Sequence, residues 1–208
     1  VKPTDEYIFS KRGHRVRNRA LLAAMTNKQS HEDGTLSDEE ITWLTRRAKD
    51  GFGIVTTAAS HVSELGKGWI GEMGVWSDNH IDGLTKLASS LKQHGSLNLV
   101  QIFHGGMKAP FEINNVIPVC PSKMMVEATG KLLARGLETE EIYQLIEDFS
   151  DAAKRCEDAG FDGVEIHGAH SYLISQFLGL KTNRRKDEFG GSLENRFRFL
   201  KEIILSIR

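Results

Sequence analysis

Two histidines and a tyrosine stand close together in the stretch Gly163-Val164-Glu165-Ile166-His167-Gly168-Ala169-His170-Ser171-Tyr172. It begins apolar and β-branched, as a buried strand does, and turns polar at His167. Imidazoles can donate, accept or carry a proton near neutral pH, whereas a phenol with an ordinary pKa of about 10 stays protonated there. At a strand end, such a gathering of proton-handling side chains is a candidate catalytic cluster. His167 and His170, with Glu165 or a distant carboxylate, can also begin a metal site, but no third ligand follows at a usual spacing. Three other places attract attention for the same reason: Met25-Thr26, Ala59-Ser60 and the run from Gln101 to His104. Gln101 is polar between Val100 and Ile102, where a core strand would be apolar.

The elements that must position these residues alternate in type. Ala20 to Met25 reads as a short first strand, and Ser37-Asp38-Glu39-Glu40 as a capping box opening a helix through Ile41, Leu44 and Ala48. Gly51 ends that helix, and the β-branched run from Gly53 to Ala58 is a second strand. Residues 78–94 space Ile81, Leu84, Leu87, Ala88 and Leu91 as one face of a helix stopped by Gly95. Leu97 to Phe103 is a third strand. The connection from His104 to about Glu138 is too long for a structureless loop, which predicts a functional excursion or a small hairpin that covers something. Thr139 is the expected N-cap of a helix whose apolar face runs from Ile142 to Cys156 and ends at Gly160. Val164 to His167 is the fourth strand, and Ser192 to Arg208 a further helix.

A strand–helix alternation repeated four times predicts a parallel sheet with right-handed crossovers, in an open doubly wound sheet or a barrel. In either, chemistry lies beyond the carboxyl ends of the strands, where His167 falls. No G-x-G-x-x-G follows the first strand, and no composition shift divides the chain, so residues 1–208 are read as part of one domain. Complete (β/α)8 barrels take about 250 residues, so four units in 208 residues, beginning with Val, predict a piece of a longer protein.

Composition sets broader limits. With 27 Lys and Arg against 28 Asp and Glu, the formal charge of -1 favours neither nucleic acid nor an anionic membrane as partner. No apolar run approaches the roughly 20 residues of a spanning helix, and VKPTDEYIFS lacks a signal-peptide core, so a soluble cytoplasmic protein is expected. Cys120 and Cys156 fit neither a disulfide framework nor metal-ligand spacing and are expected to be free thiols.

The run GFDGVEIHGAHSYLISQFL, followed by TNRRKDEFGGSLENRFRFL, resembles the signature of the old yellow enzyme family of FMN-dependent NAD(P)H oxidoreductases and ene-reductases. The resemblance extends back through NRALLAAMTNKQSHEDG, GIVTTAASHV, GVWSDNHIDGLTKLASSLKQHG and LVQIFHGGMKAP, in the family's order. It implies a (β/α)8 TIM-barrel fold, of which this chain would be about the first four βα units, with FMN at the C-terminal mouth. It implies that Ala24, Met25 and Thr26 approach the flavin, that Ala59 is a small residue beside it, and that Gln101 bonds its pyrimidine edge. His167 and His170 then match the pair that binds the carbonyl or nitro oxygen of an activated alkene, and Tyr172 the proton donor. NADH or NADPH would be the reductant. The stretch from Asn183 to Arg196 matches a family loop read mostly as structure.

Four positions depart from the family pattern: Ala24 replaces a common proline, Ala58 an acidic residue, Met107 an arginine and Ser171 a glycine. Two other readings stand beside the resemblance. A non-catalytic half-barrel would associate with itself or with a missing partner half through exposed sheet edges. A metal-dependent TIM-barrel lyase would use His167 and His170 as ligands.

Overall fold

The computed structural model describes residues 1–208. Its strands in chain order are β1 (Tyr7–Ile8), β2 (Arg15–Val16), β3 (Leu21–Leu22), β4 (Ile54–His61), β5 (Leu97–Phe103), β6 (Val119–Cys120), β7 (Met124–Met125), β8 (Leu132–Gly136) and β9 (Gly163–Ile166). Its α-helices are α1 (Asp38–Lys49), α2 (Ile81–Lys92), α3 (Phe111–Asn114), α4 (Thr139–Asp158), α5 (Leu173–Leu178) and α6 (Leu193–Ile207). The principal sheet is β3-β4-β5-β9, parallel throughout and in chain order. Helices α1, α2 and α4 make the crossovers between these strands, as an alternating βα pattern requires.

Register explains which side chains reach the core. Val100 and Ile102 of β5 are fully buried in one cluster with Leu44, Leu84, Leu87, Leu91, Ile142 and Phe149 from the three helices. Burying each of the larger side chains contributes about 1.5–3 kcal/mol. Alternation along β5 sends Gln101 to the opposite face, where it pairs in register with Ala59 on one side and Glu165 on the other. Helix α6 extends the helical layer: Phe199 stacks on Phe177 at 4.3 Å and meets Phe149 edge-on at 6.3 Å.

Element boundaries depart from the sequence reading in six places, one being the fourth strand, which spans Gly163–Ile166 and leaves His167 just beyond its last paired residue. The first strand shortens to Leu21–Leu22, because an edge strand has one neighbour and only these residues find partners, in Ile54 and Val55. The second runs past Ala58 to His61, since Ala59, Ser60 and His61 pair with Gln101, Ile102 and Phe103 beyond a bulge. In the 78–94 segment the first turn is a 3-10 turn, and the α-helix spans Ile81–Lys92. Glu138, not Thr139, caps α4: its N–H donates to the Glu141 carboxylate at 2.8 Å, which frees Thr139 to donate to Asp187. The Ser37 box is half formed: Ser37 Oγ accepts from Glu40 N–H, but the Glu40 side chain turns inward to Asn27 and Ser30.

The long connection after β5 is an ordered excursion, as its length predicted. It holds a 3-10 turn at Gly106–Lys108, helix α3 and a three-stranded sheet of order β6-β8-β7. The Arg185 guanidinium donates to Pro121 O and Leu137 O of this excursion and pairs with Asp187, while Asn183 Nδ2 donates to Phe177 O and Phe189 O at 2.8 Å each. The stretch from Asn183 to Arg196 thus works as a brace.

Candidate active site

Beyond β9 the chain makes a tight turn from His167 to Tyr172 before α5. His170 and Ser171 are both left-handed, with φ of 56° and 59°. Consecutive residues of this kind cost of order 1–3 kcal/mol each unless neighbours hold them. Here they do: Gln176 Nε2 donates to Ser171 O at 2.7 Å, Lys108 Nζ to His170 O at 2.8 Å and Ser175 Oγ to Ala169 O at 2.9 Å. Gln176 is itself buried, accepting from Met107 N–H and donating to Gly105 O. The strained turn is therefore clamped from the end of β5.

Clamping brings the trio together. The rings of His167 and His170 lie 5.0 Å apart, those of His167 and Tyr172 5.1 Å, and those of His170 and Tyr172 6.5 Å. His167 Nδ1 accepts from Ala169 N–H at 3.4 Å, which leaves its ring proton on Nε2, free to donate. Burial, then the neighbouring His170, holds the His167 pKa below its ordinary value, against a smaller opposing pull from Glu165. For Tyr172, burial first and Glu72 second push the phenol upward. Near neutral pH the pair is thus an uncharged N–H donor beside a protonated phenol.

Aromatic residues that sequence reasoning passed over surround the trio. Phe103, at the end of β5, meets Tyr172 edge-on at 4.9 Å and lies 6.1 Å from His167. Trp69 stacks on Phe103 at 5.5 Å, and Lys108 Nζ sits 5.4 Å from the Tyr172 ring centre. Phe103 carried a signal in the sequence, as the residue closing an apolar strand. Trp69 carried none, because it arrives from a distant loop.

The other candidate residues lie at the same ends of neighbouring strands. Ala24 is half-buried and Met25 and Thr26 are exposed just after β3, Ala59 is buried in β4, and Gln101 is half-buried in β5. The N–H groups of Ala24, Met25 and Thr26 make no hydrogen bond within the chain. Gln101 Nε2 donates to Glu165 Oε1 at 2.5 Å, while its carbonyl oxygen accepts nothing. A row of free amide donors, an alanine and a free amide acceptor fit a flat heteroaromatic ring carrying both acceptors and donors on its edge, as the flavin of FMN does. His167 and His170 gain no third His, Cys, Asp or Glu in a metal-binding arrangement. No helix is long and apolar enough to cross a membrane.

Residues 10–208 match the NADH:flavin oxidoreductase / NADH oxidase family, and the chain belongs to it. It is 40% identical, across its whole length, to a probable NADH-dependent flavin oxidoreductase of Bacillus subtilis, covering 55% of that protein. An NADPH dehydrogenase of Clostridium acetobutylicum is 38% identical over 93% of this chain and 56% of its own length. The chain thus spans about half the length of these curated relatives. Among solved structures, a 2-naphthoyl-CoA reductase superposes with a TM-score of 0.93 at 34% identity, over 99% of this chain and 33% of that one. The old yellow enzyme homologue from Zymomonas mobilis superposes at 0.89 with 30% identity, over 100% of this chain and 59% of its own.

Proposed function

We propose that the chain forms about the first four βα units of an FMN-binding (β/α)8 barrel, and that the protein carrying it is an NAD(P)H-dependent ene-reductase. The observation that carries this reading is the trio at the end of β9, in which an uncharged imidazole donor and a protonated phenol stand about 5 Å apart, ring to ring. Ala24, Met25, Thr26, Ala59 and Gln101 would hold the cofactor. FMN, when bound, supplies the hydride that NADH or NADPH provides and an alkene accepts.

His167 Nε2–H and a ring N–H of His170 donate to the carbonyl or nitro oxygen of an α,β-unsaturated substrate. Negative charge grows on that oxygen as the β-carbon is reduced, and donors fixed in advance stabilise it without reorganising. Tyr172 gives its phenolic proton to the α-carbon, so that one hydride and one proton add across the double bond. The phenolate recovers its proton from solvent, which the half-buried Tyr172 side chain can reach.

A second reading, a non-catalytic half-barrel that self-associates, is favoured by the unpaired outer edges of β3 and β9. One purification separates the two. The ene-reductase reading predicts stoichiometric FMN that NADH or NADPH bleaches and an enone reoxidises. A colourless, self-associated protein contradicts it.

A further inference from the structure

His61, the last residue of β4, and Glu72, in the loop that follows, are each 1% exposed. His61 Nδ1 lies 2.9 Å from Glu72 Oε1, close enough for one proton to be shared between them, and neither atom has any other partner in the chain. Glu72 has one firm attachment: its Oε2 accepts from Gly68 N–H at 2.9 Å. A buried acid without a cation partner is costly, and such groups gather where a fold uses them. The loop between them is closed by backbone bonds, His61 N–H to Met73 O and Val75 N–H to His61 O, so Glu72 is fixed relative to β4.

What Glu72 holds leads to the trio. Gly68 is followed by Trp69, Trp69 stacks on Phe103, and Phe103 meets the Tyr172 ring edge-on. A side chain at Gly68 would touch both Glu72 and Phe103, which leaves little slack in this chain of contacts. We propose that His61 and Glu72 are a positioning pair for Tyr172, fixing the Trp69 loop against Phe103 and keeping the Glu72 carboxyl buried beside that loop. The proposal rests on Tyr172 being the proton donor.

Electrostatics runs the same way. Burial pushes the Glu72 carboxyl up to about 9, and burial holds His61 down to about 3, so the pair is uncharged near neutral pH. Above that range Glu72 is an anion, and after burial itself it is the group that raises the Tyr172 pKa. Lys67, His80 and His104 also face the pair, while Lys108, His167 and His170 face Tyr172.

Glu72→Gln keeps an acceptor for Gly68 N–H and removes the ionisable proton. In the flavin-loaded protein, the phenolate absorbance of Tyr172 is isolated by subtracting the Tyr172→Phe variant and followed against pH. The midpoint is expected to fall in Glu72→Gln at unchanged flavin content; an unmoved midpoint in the folded variant overturns the proposal. Should Glu72→Gln fold poorly, Glu72→Met removes the same charge at similar bulk, although it gives up the Gly68 contact, and must also lower the midpoint. The titration involves no turnover, so it fails separately from the reading of Tyr172 as donor, which fails if Tyr172→Phe reduces alkenes normally.

Discussion

Burial acts in opposite directions on His167 and Tyr172 and leaves both uncharged. The imidazole is pushed below its ordinary pKa and the phenol above. The proposed oxygen holder keeps its Nε2 proton and the proposed acid keeps its phenolic proton at one and the same pH. Removing the first, in His167→Ala, should slow alkene reduction about a hundredfold, since one preorganised donor is worth about 3 kcal/mol. Single-turnover reoxidation of the reduced flavin by an enone reads this; a loss under threefold would mean that His167 is not a donor. His167, His170 and Tyr172 were legible because six consecutive residues hold them all. Glu72 and Trp69 were not, because they meet the trio only through Gly68 and Phe103, and no spacing in the sequence encodes that contact. Gln101 was legible as a polar residue in an apolar strand, but its bond to Glu165 depends on strand register.

At the scale of elements, the helices were readable from apolar periodicity and their ends from glycines in left-handed geometry, such as Gly51 and Gly160. Boundaries failed where long-range partners decided them: β3 stops where β4 ceases to pair with it, and Glu40 abandons its cap for Asn27 and Ser30. The turn at Gly106 was invisible for the same reason. Gly106 is left-handed, with φ of 59°, and a Cβ there would press on the Gln176 carboxamide that clamps Ser171. Gly106→Ala should therefore cost about 1–2 kcal/mol for the backbone alone. Displacing Gln176 should further loosen the turn. Urea unfolding is expected to show a lower midpoint at unchanged slope. An unshifted midpoint would show that Gln176 yields freely and the clamp is dispensable.

For the molecule as a whole, the strand order β3-β4-β5-β9 was readable because each crossover carries a recognisable helix, and parallel βα units have one common handedness. How the two outer edges are covered was not readable, since a strand pattern does not name its neighbours. The edges, together with Leu193 and Leu205, exposed on α6, leave surface for further structure. That agrees with a chain spanning about half of its curated relatives. Every candidate residue nevertheless falls at one end of one sheet, which is why the proposed chemistry gathers there.

In the proposed reaction Tyr172 supplies the proton and only the proton. Stopped-flow measurement of both half-reactions in Tyr172→Phe tests it most directly. Flavin reduction by NAD(P)H is expected at the unmodified rate and alkene reduction slowed by about 10²-fold or more, as loss of a general acid implies. Equal loss in both half-reactions, or no loss in either, would contradict it.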